Sequence, residues 1–388
     1  MKKLPVIFAI CILASCVQIE EGLSDEIPLG FDVYSARRTA DTKADANTYV
    51  PTGTGHLPSG SQFGVFGYHH TAIGNNVGSW SDANPNHPNL MYNQPVTVSE
   101  SAGVYSYSYS PKRYWPRSEK ETLSFFAYYP YRADATNTSN GPVFRAFLNK
   151  DSNGMGYIRY LCSENPAEQV DFLLSDLCMD QNKAAGILTG SALDGDGGKV
   201  RFTFHHMLSM VRVQVANVNS ENPKITVDED SYSFAFFGFP IAANCTPTPG
   251  AKDPATGLAQ CSFVWSAPLS TVTYTQGQEI ITRDSKMEVP LYEGAADYSD
   301  FLLIIPHEVE DNERLEVSFD MVRAGTNEHY SYKDNPLSAN LKGQIDEFLP
   351  GKIYTFSINA SLNAISFNTT VTDWTSGTGD FVLPISGS

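Results

Sequence analysis

The residues that could do chemistry here are a cysteine near the start, an arginine pair, two histidine pairs and four further cysteines. Cys16 follows Leu13-Ala14-Ser15, and Lys2 and Lys3 precede the apolar run Val6 to Leu13. That run is too short to cross a bilayer. A positive start, a short apolar run and small residues before a cysteine have the form of a lipoprotein signal. Cleavage falls before Cys16, and its thiol carries a diacylglycerol. At ~0.8 kcal/mol per buried CH₂, several acyl chains anchor a chain to an outer membrane without spanning it. Arg37-Arg38 opens the polar stretch Thr39 to Thr48, which holds no core-forming residue. A dibasic pair in such a stretch is a protease site, because exposed, unpacked backbone is what proteases cut. Either arginine serves.

The other groups point away from catalysis. Cys162, Cys178, Cys245 and Cys261 are the candidates for disulfides in an exported chain. Four cysteines allow three connectivities, of which Cys162–Cys178 with Cys245–Cys261 is the local one, and sequence does not choose. No C-x-x-C occurs, which argues against zinc. His69-His70 and His205-His206 are adjacent pairs, and strand neighbours point to opposite faces, so neither is a ready chelate. His307-Glu308 lacks the second histidine of a zinc helix. Asp194-Gly195-Asp196-Gly197 starts like a calcium loop but lacks the later acidic ligands, and reads as a linker. With no nucleophile elbow and no phosphate loop, the reading is a protein without catalytic site, metal or cofactor. The net charge of −17 excludes nucleic acid as a partner.

These groups sit on strands. Ile27, Leu29, Phe31 and Val33 alternate with Pro28, Gly30 and Asp32, and Pro28 puts this run at an edge or a strand start. Similar runs recur along the chain. Tyr105, Tyr107 and Tyr109 alternate, as do Val200, Phe202 and Phe204, Val211 to Val215, and Leu315 to Phe319. Leu123 to Tyr129 and Phe301 to Ile305 are nearly continuous apolar runs, so both faces are covered. Tyr354 to Ile358 and Ile365 to Val371 follow, and Phe381, Leu383 and Ile385 form a last run. Leu337 to Phe348 is the one moderately helical stretch. Many short strands with polar turns predict an all-β chain with a sandwich in each half. The expected divisions are a signal peptide at 1–15, a tether with a removable strand at 16–38, and β-sandwich domains at 39–192 and 193–388.

One mechanical reading connects the two ends. A cut at Arg37 or Arg38 frees the strand of Ile27 to Val33 and uncovers a groove. The strand Phe381, Leu383, Ile385 of a second copy then fills it, with backbone hydrogen bonds for attraction and alternate side chains for register. A head-to-tail contact that does not close builds a filament. The rival reading is a monomeric glycan-binding lipoprotein with Trp80, Trp115 or Trp265 stacking on sugars, although Trp115 beside Pro116 reads as core.

Several fragments, in order, resemble the fimbrillins, subunits of the type V pili of Bacteroidia. They are Met91 to Val96, Tyr114-Trp115-Pro116, Leu123 to Tyr131, Val170 to Leu174, Val200 to Val215, Gly351 to Tyr354 and Val371 to Trp374. The resemblance implies two tandem transthyretin-like β-sandwich domains and export as a lipoprotein. It also implies trimming after Arg by an Arg-specific surface protease, and polymerisation by donor-strand exchange with other pilus subunits. The residues before Arg38 would be the displaced strand and Gly379 to Ile385 the donor. Adhesion to an unidentified host or bacterial receptor would be the outcome.

Overall fold

The computed structural model describes residues 27–35, 56–70, 88–117, 121–133, 144–147, 157–162, 169–181, 199–217, 225–227, 233–252, 258–266, 287–289, 302–323, 325–326, 328–331, 337–360 and 365–374. Outside them lie Cys16, Arg37, Arg38, Trp80, Asp194 to Gly197, Phe381, Leu383 and Ile385.

The first strands are β1 (Gly30–Ser35), β2 (Gln62–His70), β3 (Met91–Ser101), β4 (Val104–Ser108), β5 (Thr122–Tyr129), β6 (Phe144–Phe147), β7 (Tyr157–Leu161), β8 (Leu173–Ser175) and β9 (Leu177–Gln181). Next come β10 (Lys199–His206), β11 (Ser209–Asn217), β12 (Ile225–Val227), β13 (Ser233–Phe237), β14 (Ala242–Lys252), β15 (Leu258–Trp265), β16 (Met287–Val289) and β17 (Leu302–Ile304). The rest are β18 (His307–Glu308), β19 (Arg314–Ser318), β20 (Asp320–Arg323), β21 (Glu328–Ser331), β22 (Leu337–Asn340), β23 (Glu347–Phe348), β24 (Lys352–Ala360) and β25 (Ile365–Asp373). The fold is all-β, with no helix among the described residues, and so no helix there is long and apolar enough to cross a membrane.

A twelve-stranded sheet follows the order β1-β10-β8-β5-β9-β15-β14-β7-β6, with β2, β3 and β4 branching from β5. The later strands form smaller sheets, the largest running β17-β11-β24-β25 and β16-β13-β19-β22. Strands β10, β14 and β15 follow the expected 192/193 boundary in sequence, yet pair within the first sheet. One apolar cluster gathers Leu29, Phe31, Phe63, Phe125, Phe202 and Phe204. A second lies among β11, β13, β17, β19 and β24. A third draws on both halves, Phe66, Phe126 and Tyr160 packing with Met207, Leu303 and Trp374.

All eight residues of β5 are buried, as its nearly continuous apolar run predicts. Packing there is tight enough to exclude a methyl group. A Cβ at Gly64 would lie 2.3 Å from the Tyr128 ring. Two expectations are corrected. Leu337 to Phe348 is not helical: β22 pairs with β19, and Gly343 turns the chain at φ +97° before β23. The four candidate disulfide cysteines, Cys162, Cys178, Cys245 and Cys261, are buried free thiols. In the β14–β15 ladder Cys261 faces Pro249 and Cys245 faces Trp265, which separates the two cysteines by about 13 Å along the strands, far beyond disulfide reach. Cys162 packs in the shared cluster while Cys178 lies in the first one, and their sulfurs donate to the carbonyls of Leu303 and Arg201. Burial pushes the Cys162 thiol up to about 12, and raises the other three thiols as well.

Candidate strand-binding groove

Strand β1 lies parallel to β10 through six pairs, from Gly30 opposite Lys199 to Ser35 opposite Phe204. The residues just before it use a different wall. Leu29 N–H donates to the Arg113 carbonyl at 2.8 Å, and Trp115 N–H donates to the Ile27 carbonyl at 3.1 Å. Pro28 therefore faces Tyr114 in an antiparallel bridge, a place where no N–H of its own is needed. The segment 27–35 is thus held on both sides by backbone, like a strand laid into a slot.

Its side chains follow the period of two. Leu29, Phe31 and Val33 are 2%, 2% and 0% exposed, and Ile27 packs on the same cluster. The Phe31 ring meets Tyr109, Phe202 and Phe125 at centroid distances of 5.3, 5.4 and 6.0 Å. Burying three such side chains is worth roughly 5–9 kcal/mol, at ~1.5–3 kcal/mol each. Tyr109 closes the slot from behind, its hydroxyl donating to the Leu29 carbonyl at 2.8 Å. Burial raises the Tyr109 phenol above its ordinary range, so it stays a donor. A Cβ at Gly30 would sit 2.9 Å from Lys199 Cγ and 3.8 Å from its Cα.

The alternating residues predicted from sequence thus come together in one slot. Sequence reading did not identify the walls, Tyr109 and Arg113–Trp115, because the pairing joins residues about 80 positions apart and no local pattern marks it. The histidine pairs behave as strand neighbours should. His205 meets Asp176 at 3.0 Å, and His206 meets Asp171 at 2.9 Å while stacking on Trp374 at 4.0 Å. His69 meets Glu121 at 2.8 Å and His307 meets Glu313 at 3.0 Å. No group of three metal-ligating side chains occurs among the described residues. Trp115 is core, 4% exposed, and Trp265 is half-buried against the shared cluster.

No curated protein matches the sequence. Among solved structures, a fimbrial protein from Bacteroides vulgatus is similar over 90% of this chain and 99% of its own, with 18% identity and a TM-score of 0.52. A fimbrilin from Porphyromonas gingivalis is similar over 89% and 97%, with 10% identity and a TM-score of 0.40. A tip fimbrial protein from the same organism, C-terminally truncated, is similar over 90% of this chain and 100% of its own, with 9% identity and a TM-score of 0.32. The model of the family described as fimbrillin-like matches residues 42–374, and the chain belongs to that family.

Proposed function

We propose that this chain is a structural, non-enzymatic subunit of a cell-surface fimbria with a role in adhesion, and that it assembles with other subunits by strand exchange. The precursor is exported with its lipid on Cys16. A surface protease cuts after Arg37 or Arg38, just beyond the end of β1 at Ser35. Residues 27–35 then leave their slot, and the run Phe381, Leu383, Ile385 of another copy enters it. Each subunit is read as two β-sandwiches meeting at the shared apolar cluster.

The observation that carries this reading is the slot itself. An N-terminal strand is buried to 2% or less at Leu29, Phe31 and Val33, is held laterally by backbone hydrogen bonds, and is followed directly by a dibasic pair. A strand in that position can be removed without cutting the chain that forms the walls.

The test is to treat the purified precursor with an Arg-specific protease, then determine the new N-terminus and the size distribution. A single cut at Arg37 or Arg38 followed by SDS-resistant ladders is expected. Monomers alone after a clean cut would overturn self-polymerisation. Resistance to the protease would overturn maturation at this site.

A further inference from the structure

The first strand and its proposed replacement are nearly the same sequence read in opposite directions. From residue 27 to 32 the order is Ile27, Pro28, Leu29, Gly30, Phe31, Asp32. From residue 385 back to 380 it is Ile385, Pro384, Leu383, Val382, Phe381, Asp380. Five of six positions carry the same side chain, and the three buried seats of Ile27, Leu29 and Phe31 are matched by identical residues. We propose that the strand donated by a second copy enters the slot antiparallel to the strand it replaces, with Phe381 in the seat of Phe31, Leu383 in that of Leu29 and Ile385 in that of Ile27. This rests on the strand-exchange reading above and adds the direction and register.

Backbone stereochemistry favours the same direction independently. Leu29 N–H and the Ile27 carbonyl both turn toward 113–115, so the odd residues of this segment face that wall and the even ones face β10. Consider a donor running the same way as β1 with its apolar side chains inward. Pro384 then falls on an even seat. At seat 30 or 32 it removes an N–H from the ladder with β10. At seat 28 it avoids the ladder, but places Gly387 where Phe31 was and leaves that seat unfilled. Reversing the strand with side chains still inward exchanges the two lateral directions. Phe381, Leu383 and Ile385 then present their backbone to β10. Pro384 takes the seat of Pro28 but turns its backbone to the short bridge at 113–115, which loses one donor there, while the longer ladder with β10 keeps every N–H. The new ladder with β10 is antiparallel, the more stable arrangement per residue.

Two further seats agree. Asp32 lies opposite Arg201 in the β1–β10 register, and Asp380 inherits that place, keeping opposite charges as cross-strand neighbours. Val382 takes the place of Gly30, where Lys199 Cγ would be 2.9 Å from its Cβ, so the flexible Lys199 side chain must swing aside. Gly379 takes the seat of Val33 and leaves it without a side chain.

The direction is read by a photoreactive benzophenone side chain at position 380, in a chain whose groove is otherwise unaltered, cross-linked within fibres and mapped by mass spectrometry. Attachment to residues 200–202 of the neighbouring copy is expected. Attachment near Tyr114, where a donor running parallel to β1 would place residue 380, overturns the proposal, as does attachment elsewhere. Cysteine pairs oxidised with diamide give a second reading. Asp380→Cys with Arg201→Cys should yield covalent ladders, and Pro384→Cys with Arg201→Cys none; the reverse result overturns the proposal. If the unmodified chain forms no fibres after cleavage, strand exchange itself fails, and the direction with it.

Discussion

Phe31→Ala separates the two lives of the slot. Phe31 is 2% exposed and its ring packs on Tyr109, Phe125 and Phe202, so truncation removes a full aromatic burial and leaves a cavity. Such changes cost about 3–5 kcal/mol. At roughly 2–4 °C per kcal/mol for a unit of 150–250 residues, a loss of about 4 kcal/mol lowers the melting temperature of the precursor by roughly 8–16 °C. The same substitution should leave the fibre unchanged if, as proposed, residue 31 is displaced before assembly. Phe202→Ala, in β10, should weaken both. The assay is differential scanning calorimetry of the uncut precursor and of fibres grown from cut protein, for wild type and each variant. A Phe31→Ala precursor melting within 2 °C of wild type would refute the burial argument. Fibres of Phe31→Ala destabilised as much as the precursor would refute displacement of the strand.

Three further outcomes are expected. Leu383→Asp places a carboxylate in an apolar seat, so fibres should be lost by electron microscopy while the uncut monomer melts as wild type. Because burial raises all four thiols, with Cys162 at about 12, the reactive thiolate is scarce at pH 8; Cys162, Cys178, Cys245 and Cys261 should resist a thiol reagent in the native protein and react after unfolding. Asp171→Ala should cost about 1–3 kcal/mol by chemical denaturation, because it removes the buried carboxyl that the His206 imidazole meets at 2.9 Å.

Much of the fold was legible where a strand's pattern is set by its own two faces. The nearly continuous apolar run Leu123 to Tyr129 gave a strand buried throughout, and the alternation of Leu315, Val317 and Phe319 gave three buried residues. The opposite orientations of His205 and His206, one toward Asp176 and one toward Asp171, followed from strand geometry alone. What failed depended on partners. The β14–β15 pairing was hidden by Pro247, Pro249 and Gly250, residues that depress strand propensity; among the described residues β7 pairs with 242–245 and not with the prolines, which fits an edge position. Leu337 to Phe348 read as helical because its side chains alternate weakly. Its strands are short and exist through pairing with β19 and β18. The candidate slot was half legible. Its occupant announced itself by alternation, but its walls are brought together by topology.

That topology bears on how the exchange could run downhill. Before cleavage β1 is tethered to its own slot, and a short tether is equivalent to an effective concentration of order mM. Against micromolar competitors this advantage is about 10³-fold, or ~4 kcal/mol. In the proposed exchange, cleavage after Arg37 or Arg38 would abolish it, and from then on the two strands would compete on intrinsic affinity. Their buried side chains are nearly the same, so side-chain burial contributes little to the difference: Ile, Leu and Phe are exchanged for Ile, Leu and Phe. What remains is the backbone. In the proposed exchange a parallel ladder of six pairs would give way to an antiparallel one, and the direction of the donor would then be a source of driving force as well as a geometric detail. The vacant seat of Val33 works against the donor, by about the burial of one valine. Gly379→Val should fill it. Fibres of that variant should melt at a higher temperature in SDS than wild type, with the precursor unchanged, and equal melting would show that residue 379 does not reach the seat.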